Sequence, residues 1–206
     1  MNAVSQGPSR HTERAQAQRE RILCAAQKCF IEHGFHAAGM ALIAETAEMS
    51  PGLIYRYFDS KNAIILAIVG RQLEDARTCI RALHDAPDMT AAALDTFNCW
   101  RNGDPRMMNA ALFLEMTAEA SRNPELVAAF ADSDQAVRCE LANWLSADVA
   151  SGGKGLPPEV ARLRAISLQC YFVGLAIRAL REPDISQSDL QAAIGQFMQG
   201  LYSTVE

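Results

Sequence analysis

A short helix, a tight turn and a strong helix-start signal follow one another over residues 40–58, and this order constrains the fold more than any other feature. The short helix has its apolar side chains at i, i+3, i+4 and i+7, the spacing of one helix face: Met40, Ile43, Ala44 and Ala47. A turn at Glu48 and Met49 leads to Ser50, a good N-cap residue, and to Pro51, which suits the first helical position. Two helices joined by so short a turn predict a helix-turn-helix.

Helical patterns continue on both sides of this motif. The helix before it begins at Arg19, ends at Gly34 and carries one apolar stripe: Ile22, Ala25, Ala26, Cys29 and Phe30. The helix that starts at Pro51 should continue through residue 58, and a long helix should extend from Lys61 to about residue 84. Breaks at proline and glycine divide the remainder into helices over residues 90–101, 106–121, 125–149, 158–181 and 187–203. No alternating strand pattern appears, so the sequence predicts an all-α fold of about nine helices.

Charge is distributed unevenly along the chain. Residues 1–66 hold seven basic and six acidic side chains, the remainder holds 12 and 18, and the net charge is −5. This difference is small, but it leaves the relative positive charge at the N-terminal end. Residues 1–18 are polar and aperiodic, and we expect a flexible arm there. Its Arg10 and Arg14, with Arg19, either reach a phosphate or the minor groove or belong to a solvated tail.

Several classes of protein are disfavoured. The chain has no apolar run near the roughly 18 residues of a membrane span and no secretory signal, so we expect a cytoplasmic protein that does not contact the membrane. Its six cysteines are scattered without a Cys-x-x-Cys pair, which argues against zinc and against structural disulfides. The histidines lack metal spacing, and neither a nucleophile elbow nor a glycine-rich phosphate loop is present. We therefore expect no enzyme, no cofactor and no metal site.

The third helix has an outward side that suits DNA. Ile54 and Phe58 should pack inward, which leaves four residues outside: Leu53, Tyr55, Arg56 and Tyr57. An arginine between two tyrosines suits the major groove, because arginine binds guanine edges or phosphate and tyrosine hydroxyls bind phosphate. Gly52 allows close approach to the DNA backbone. Lys61, at the start of the next helix, adds an ammonium group beside free N–H groups, an arrangement that favours a contact with phosphate.

Residues 19–69 contain many motif positions at fixed spacing. An Ile-Leu-x-Ala-Ala-x-x-x-Phe helix, formed by Ile22, Leu23, Ala25, Ala26 and Phe30, precedes the pairs Gly34-Phe35 and Ile43-Ala44. A Ser-x-Gly-x-x-Tyr-x-x-Phe-x-x-Lys pattern follows, formed by Ser50, Gly52, Tyr55, Phe58 and Lys61. This stretch closely resembles the TetR family of transcriptional regulators. The resemblance implies DNA contacts from Ser50, Pro51, Gly52, Leu53, Tyr55, Arg56, Tyr57 and Lys61.

Three positions depart from the family pattern. Glu48 stands in the turn where glycine is usual, and a positive φ there would cost glutamate about 1 kcal/mol. Ala38 and Gly39 replace the small polar residues that often open the second helix, which removes a cap and a phosphate contact. Leu53 replaces a common threonine and would favour a contact with the thymine methyl group. These departures affect the expected operator sequence rather than DNA binding itself.

The resemblance also implies the domain organisation: an arm over residues 1–18, a DNA-binding domain over 19–66, and an effector-binding and dimerisation domain over 67–206. The last two helices would form a four-helix bundle in a homodimer, which binds a palindromic operator in double-stranded DNA and releases it when a small-molecule effector binds. The helix over residues 158–181 is apolar on two sides, which fits a dimer or a larger monomeric core about equally well.

Large side chains in the middle helices are candidates for the effector cavity: Phe97, Trp100, Met107, Met108, Phe113, Met116, Trp144 and Tyr171. For any one of them, ordinary core packing is the competing interpretation. Glu115, Glu119 and Arg122 recur at i, i+4 and i+7, and we interpret them as a solvated stripe rather than as ligands for a cationic effector. The alternative function is a helical protein-interaction module, or a thiol-sensing regulator, without a small-molecule effector.

Overall fold

The computed structural model describes residues 10–86, 88–104 and 109–202. Within these ranges the chain has nine α-helices, one 3₁₀ turn and no strand. The helices are α1 (Arg10–Ala37), α2 (Met40–Thr46), α3 (Pro51–Tyr55), α4 (Lys61–Asp85), α5 (Met89–Arg101), α6 (Ala110–Ala120), α7 (Pro124–Ser146), α8 (Pro158–Arg181) and α9 (Gln187–Tyr202). The predicted all-α fold is confirmed.

The helices α1, α2 and α3, with the start of α4, form a compact head. Its core contains the residues that the apolar patterns predicted to be inside: Ile22, Ala26, Phe30, Ile43, Ala44, Ile54 and Phe58 are all at most 3% exposed. The same cluster continues into Leu112 and Met116 of α6 and Leu126 of α7. The head is therefore packed directly against the rest of the molecule, which we call the body.

The start of α1 and the ends of α3 and α7 differ from the predictions, and α7 ends at Ser146 rather than at residue 149. Helix α1 begins at Arg10, not at Arg19, so residues 10–18 are helical where a flexible arm was expected. Residues 1–9 of the predicted arm lie outside the described residues. Helix α3 ends at Tyr55, and residues 56–58 form a turn in which the Tyr57 and Phe58 N–H groups donate to the Ile54 carbonyl at 2.8 and 3.0 Å. The predicted two-turn helix is shorter because the chain turns at once into α4.

In the body, α8 packs against α7 and α5, and α9 packs against α5. The core between them includes Phe97, Leu141, Leu145, Leu168 and Ile194. By length and composition α8 could cross a membrane, and one third of the relevant window is buried. The opposite side of α8 carries apolar residues that no described part of the chain covers: Leu163, Ile166, Val173 and Leu180.

Candidate nucleic-acid interface and effector region

Helix α3 begins as the sequence predicted. Ser50 is its N-cap, and the Ser50 Oγ accepts a hydrogen bond from the Leu53 N–H at 3.3 Å. Pro51 occupies the first turn, where its missing N–H costs nothing. Helix α2, by contrast, begins after Gly39 with no side-chain cap, as expected from the residues at positions 38 and 39. The helix-turn-helix is thus capped at its second helix only.

Glu48, in the turn between α2 and α3, has a φ of 51°. It is the only residue other than glycine with positive φ in the described part of the chain. The turn therefore has the conformation in which glutamate carries the backbone cost considered above. Its carboxylate forms an ion pair with Arg21 of α1 at 2.8 Å, but both side chains are largely exposed, so the pair offsets little of the backbone cost.

Fewer side chains on the outward face of α3 are exposed than predicted. Tyr55 is 51% exposed, and Arg56 at the C-cap is also exposed. Leu53 is half-buried, and Tyr57 packs partly against the head core. Pro51 and Gly52 are exposed at the start of the helix. Tyr55 and Arg56 are therefore the two large side chains of this face that are exposed.

Arg19 supports the far end of α3. Its guanidinium donates to the Tyr57 carbonyl at 2.9 Å and lies 4.3 Å from the centre of the Phe58 ring. The sequence predicts that Arg19, beside the arm, either reaches DNA or is solvated. In the structure its guanidinium fixes the turn after α3 against α1, so it holds the end of the helix that carries Tyr55. Only the tertiary approach of α1 to residues 57–58 reveals this role.

Lys61, predicted to contact phosphate, is directed towards Phe35. Its Nζ donates to the Phe35 carbonyl at 2.7 Å and lies 4.1 Å from the centre of the Phe35 ring. Burial lowers the pKa of Lys61, and the negative charge of Glu119 opposes that shift. One of the three ammonium N–H donors is used internally. A phosphate contact through the others stays a prediction.

The interpretation of Glu115, Glu119 and Arg122 as a solvated stripe is wrong for the two glutamates. Glu119 is only 9% exposed, and its Oε2 lies 3.5 Å from His36 Nε2. Glu115 is half-buried and accepts a hydrogen bond from the Phe35 N–H at 3.1 Å. Both face the end of α1, because α6 packs against the head. Periodicity along α6 could not show which side the head covers.

The candidate effector residues are not brought together as one set. Phe97, Trp100, Trp144 and Tyr171 belong to the body core, whereas Met116 belongs to the head cluster. Trp144 is tied to a loop, since its indole N–H donates to the Gly152 carbonyl at 3.2 Å. Phe113 is half-buried in α6. Met107 and Met108 lie outside the described residues.

An aromatic cluster lies where α5, α8 and α9 meet. The rings of Tyr171 and Phe197 are stacked at 3.8 Å with an interplanar angle of 4°, and Trp100 meets Phe172 edge-on at 6.4 Å. Burial raises the pKa of the Tyr171 phenol. A separate groove of about 530 Å³ lies between α7 and α8, beside Arg138, Cys139 and Ile166. None of the candidate effector residues lines that groove.

Comparisons with known proteins agree for both parts of the chain. Residues 22–68 match the family described as bacterial regulatory proteins, tetR family. Residues 101–202 match the C-terminal domain described as a BetI-type transcriptional repressor. Together the two matches cover the head and most of the body.

Individual relatives are also transcriptional regulators. The chain is 36% identical over 118 residues to the HTH-type transcriptional regulator UidR of Escherichia coli, an alignment that covers 55% of this chain and 57% of UidR. Salmonella enterica GusR has a similar structure, with a TM-score of 0.72 and 26% identity over 90% of this chain and 95% of its own. A Saccharomonospora viridis regulator solved with choline shares the fold, with a TM-score of 0.63 and 20% identity over 89% of this chain and 96% of its own.

Proposed function

Because this chain belongs to the TetR family of bacterial regulatory proteins, we propose that it is a homodimeric repressor that leaves a palindromic operator when a small molecule binds the body. Its head is a helix-turn-helix, and the family to which it belongs is one of DNA-binding transcription regulators. The operator, the dimer and the effector are the parts that we propose.

The observation that supports operator binding is the rigid presentation of Tyr55 and Arg56. Ser50 caps the start of α3, Arg19 holds its end, and Ile54 anchors it in the core. The two large side chains that remain exposed can donate hydrogen bonds to base edges or phosphates. A helix fixed on three sides loses little backbone freedom when it enters a groove.

The exposed face of α8 supports the dimer. Leu163, Ile166, Val173 and Leu180 recur at the spacing of one helix face and are 37–55% exposed. A contiguous apolar strip of this kind is unusual on a monomer and typical of a subunit interface. A two-fold related copy would cover it and would place two heads on one duplex. A protein of this kind would act in the cytoplasm, where the DNA is.

The test is binding to DNA that flanks the gene, measured by fluorescence anisotropy and footprinting. We expect a footprint with two-fold symmetry over an inverted repeat, and one dimer per site by light scattering. Salt-insensitive binding, or no protected repeat, would contradict operator recognition and favour the protein-interaction alternative. Leu163→Glu with Ile166→Glu should yield monomers and abolish the symmetric footprint.

For the effector, we propose a site against the aromatic cluster of Trp100, Tyr171, Phe172 and Phe197. Aromatic faces bind apolar and cationic groups well. Choline is a suitable first probe, because the regulator from Saccharomonospora viridis was solved with it. A rise in unfolding midpoint with choline or another cation, lost in Trp100→Ala, would support the site. A midpoint that no ligand of this class changes would contradict it.

Helix α4 is the proposed connection between effector and operator. It runs without interruption from the head to the body, about 37 Å for 25 residues. Arg71 pairs with Glu20 of the head at 2.8 Å, and Arg77 pairs with Glu140 of α7 at 2.5 Å. A Gly-Ser-Gly insertion after Gly70 would interrupt α4 between its first part, which packs in the head core as far as Val69, and both of these arginines. It should leave effector binding intact and abolish release of DNA, and an undiminished release would contradict the proposal.

A further inference from the structure

Both the N–H and the carbonyl of Phe35, just after the break in α1, form hydrogen bonds with charged side chains. Its N–H donates to the Glu115 carboxylate of α6 at 3.1 Å. Its carbonyl accepts from the Lys61 ammonium of α4 at 2.7 Å, and the same ammonium lies over its ring. Charge-assisted hydrogen bonds are the stronger kind. One residue of the head is thus fixed to two other helices at once.

Gly34 makes this arrangement possible. Its φ of 73° and ψ of 163° break the helix and turn the Phe35 N–H away from α1, a conformation that suits glycine. A Cβ at position 34 would lie 3.4 Å from Glu115 Oε2, which is an ordinary van der Waals distance. The positive φ, rather than the space beside Glu115, is therefore what favours glycine here.

Glu119 adds a second, less complete connection. Its carboxylate is 11% exposed, faces His36 at 3.5 Å and Arg122 at 3.8 Å, and interacts electrostatically with Lys61. Its Oε2 accepts no hydrogen bond from the described residues. A buried carboxylate is costly unless nearby cations compensate it. The cations near Glu119 are Lys61, on α4, and Arg122, in the turn after α6, so the charge of Glu119 favours one mutual placement of these two segments.

We propose that Glu115 and Glu119 are positioning residues that set the orientation of the head on the body, and thereby the operator half-site spacing that the dimer accepts. The inference rests on the proposed two-fold operator binding. It adds a contact through α6 to the connection through α4. We call the set of Phe35, Lys61, Glu115 and Glu119 the head–body contact.

Half-site spacing reports head orientation directly. Each base pair added between half-sites moves them by about 3.4 Å and rotates them by about 35°. A dimer with rigidly held heads loses affinity when the half-site spacing changes, whereas a dimer whose heads can swivel keeps its affinity. General loss of stability lowers the affinity for every spacing alike and does not change the ratio between spacings.

The experiment uses the full-length dimer and an operator selected from random DNA. Spacers one and two base pairs longer and shorter are then compared with the best one by fluorescence anisotropy. We expect the wild type to prefer the best spacing by about tenfold or more, as the loss of one well-placed charge-assisted contact would predict. Glu115→Ala should reduce this preference to about threefold or less, with unchanged affinity for a single half-site.

Matched variants complete the test. Glu115→Gln keeps an oxygen acceptor for the Phe35 N–H and should retain most of the preference. Glu45→Ala, an exposed carboxylate on α2, should retain all of it. If Glu115→Ala fails to fold, Glu119→Gln, which removes the charge at constant size, serves instead and should also reduce the preference.

Three results would overturn the inference. If folded Glu115→Ala and Glu119→Gln both discriminate between spacings as the wild type does, the head–body contact does not set orientation, while two-fold operator binding stands. If the wild type binds all spacings equally but more tightly than a single half-site, its heads swivel and this inference alone fails. If it binds every spacing only as tightly as a single half-site, two-fold operator binding itself fails, and this inference with it.

Discussion

Replacing Glu48 by glycine should stabilise the protein slightly, although glycine normally destabilises. Glu48 has a φ of 51°, which lies in the left-handed region. A residue with a Cβ pays about 1–2 kcal/mol there. Glycine avoids this cost but loses more conformational entropy on folding, about 0.5–1 kcal/mol.

The substitution also removes the ion pair with Arg21, which lowers the stability of the folded state. The side chains of this pair are 44% and 84% exposed, so its loss should cost no more than about 0.5 kcal/mol. We therefore expect a net stabilisation of about 0.5 kcal/mol for Glu48→Gly. Glu45→Gly is the matched control, because Glu45 is also exposed but lies inside α2. Glycine in a helix should destabilise by about 1 kcal/mol.

The assay is thermal unfolding of both variants by circular dichroism, at one fixed protein concentration because dimers unfold in a concentration-dependent way. The difference of about 1.5 kcal/mol should separate the two midpoints by about 3–6 °C, with Glu48→Gly the higher. Midpoints lowered equally by the two substitutions would refute the argument, since the turn would then carry no left-handed strain.

Three further predictions concern the interface and the body. Lys61→Ala should flatten the plot of log K against log salt by about one unit if Lys61 contacts phosphate; an unchanged slope with a lower unfolding midpoint would assign it to Phe35 alone. Arg56→Ala should weaken the free energy of operator binding by about 1–3 kcal/mol and relax the base specificity at one position per half-site. Equal losses of affinity for random DNA would show that Arg56 contacts the phosphate backbone of the DNA instead. Because burial raises the pKa of Tyr171, the native state should lose stability as the pH rises from about 10 through that raised pKa. Urea midpoints of Tyr171→Phe should fall less over this range, and parallel curves for the two proteins would exclude the effect.

The features of the head that the sequence predicted are those that depend on neighbours along the chain. The cap by Ser50, the positive φ of Glu48 and the burial of Ile54 and Phe58 follow from local backbone rules and from periodicity. These rules operate over one or two helical turns. They could therefore locate the helix-turn-helix without knowledge of the rest of the fold.

The features that were missed depend on helices far apart in the sequence. Arg19 contacts Tyr57 and Glu115 contacts Phe35, across separations of 38 and 80 residues. A glutamate pattern at i and i+4 describes a helix face equally well whether that face meets water or another helix. Only the packing of α6 on the head decides it. Packing between distant helices also decides which of the candidate effector residues lie together, so the sequence could name these candidates but not group them.

The exposed apolar face of α8 has a consequence for how the protein is made. A chain is synthesised from its N-terminus, so Ile22 to Val69, which supply most of the head core, leave the ribosome well before Leu163. Domains generally fold as they emerge, and exposed apolar surface promotes aggregation until it is covered. In the proposed dimer, a second copy of the chain covers α8. The period during which α8 is exposed and can aggregate is therefore shorter when two chains are made close together. Neighbouring ribosomes on one messenger RNA would make them in this way.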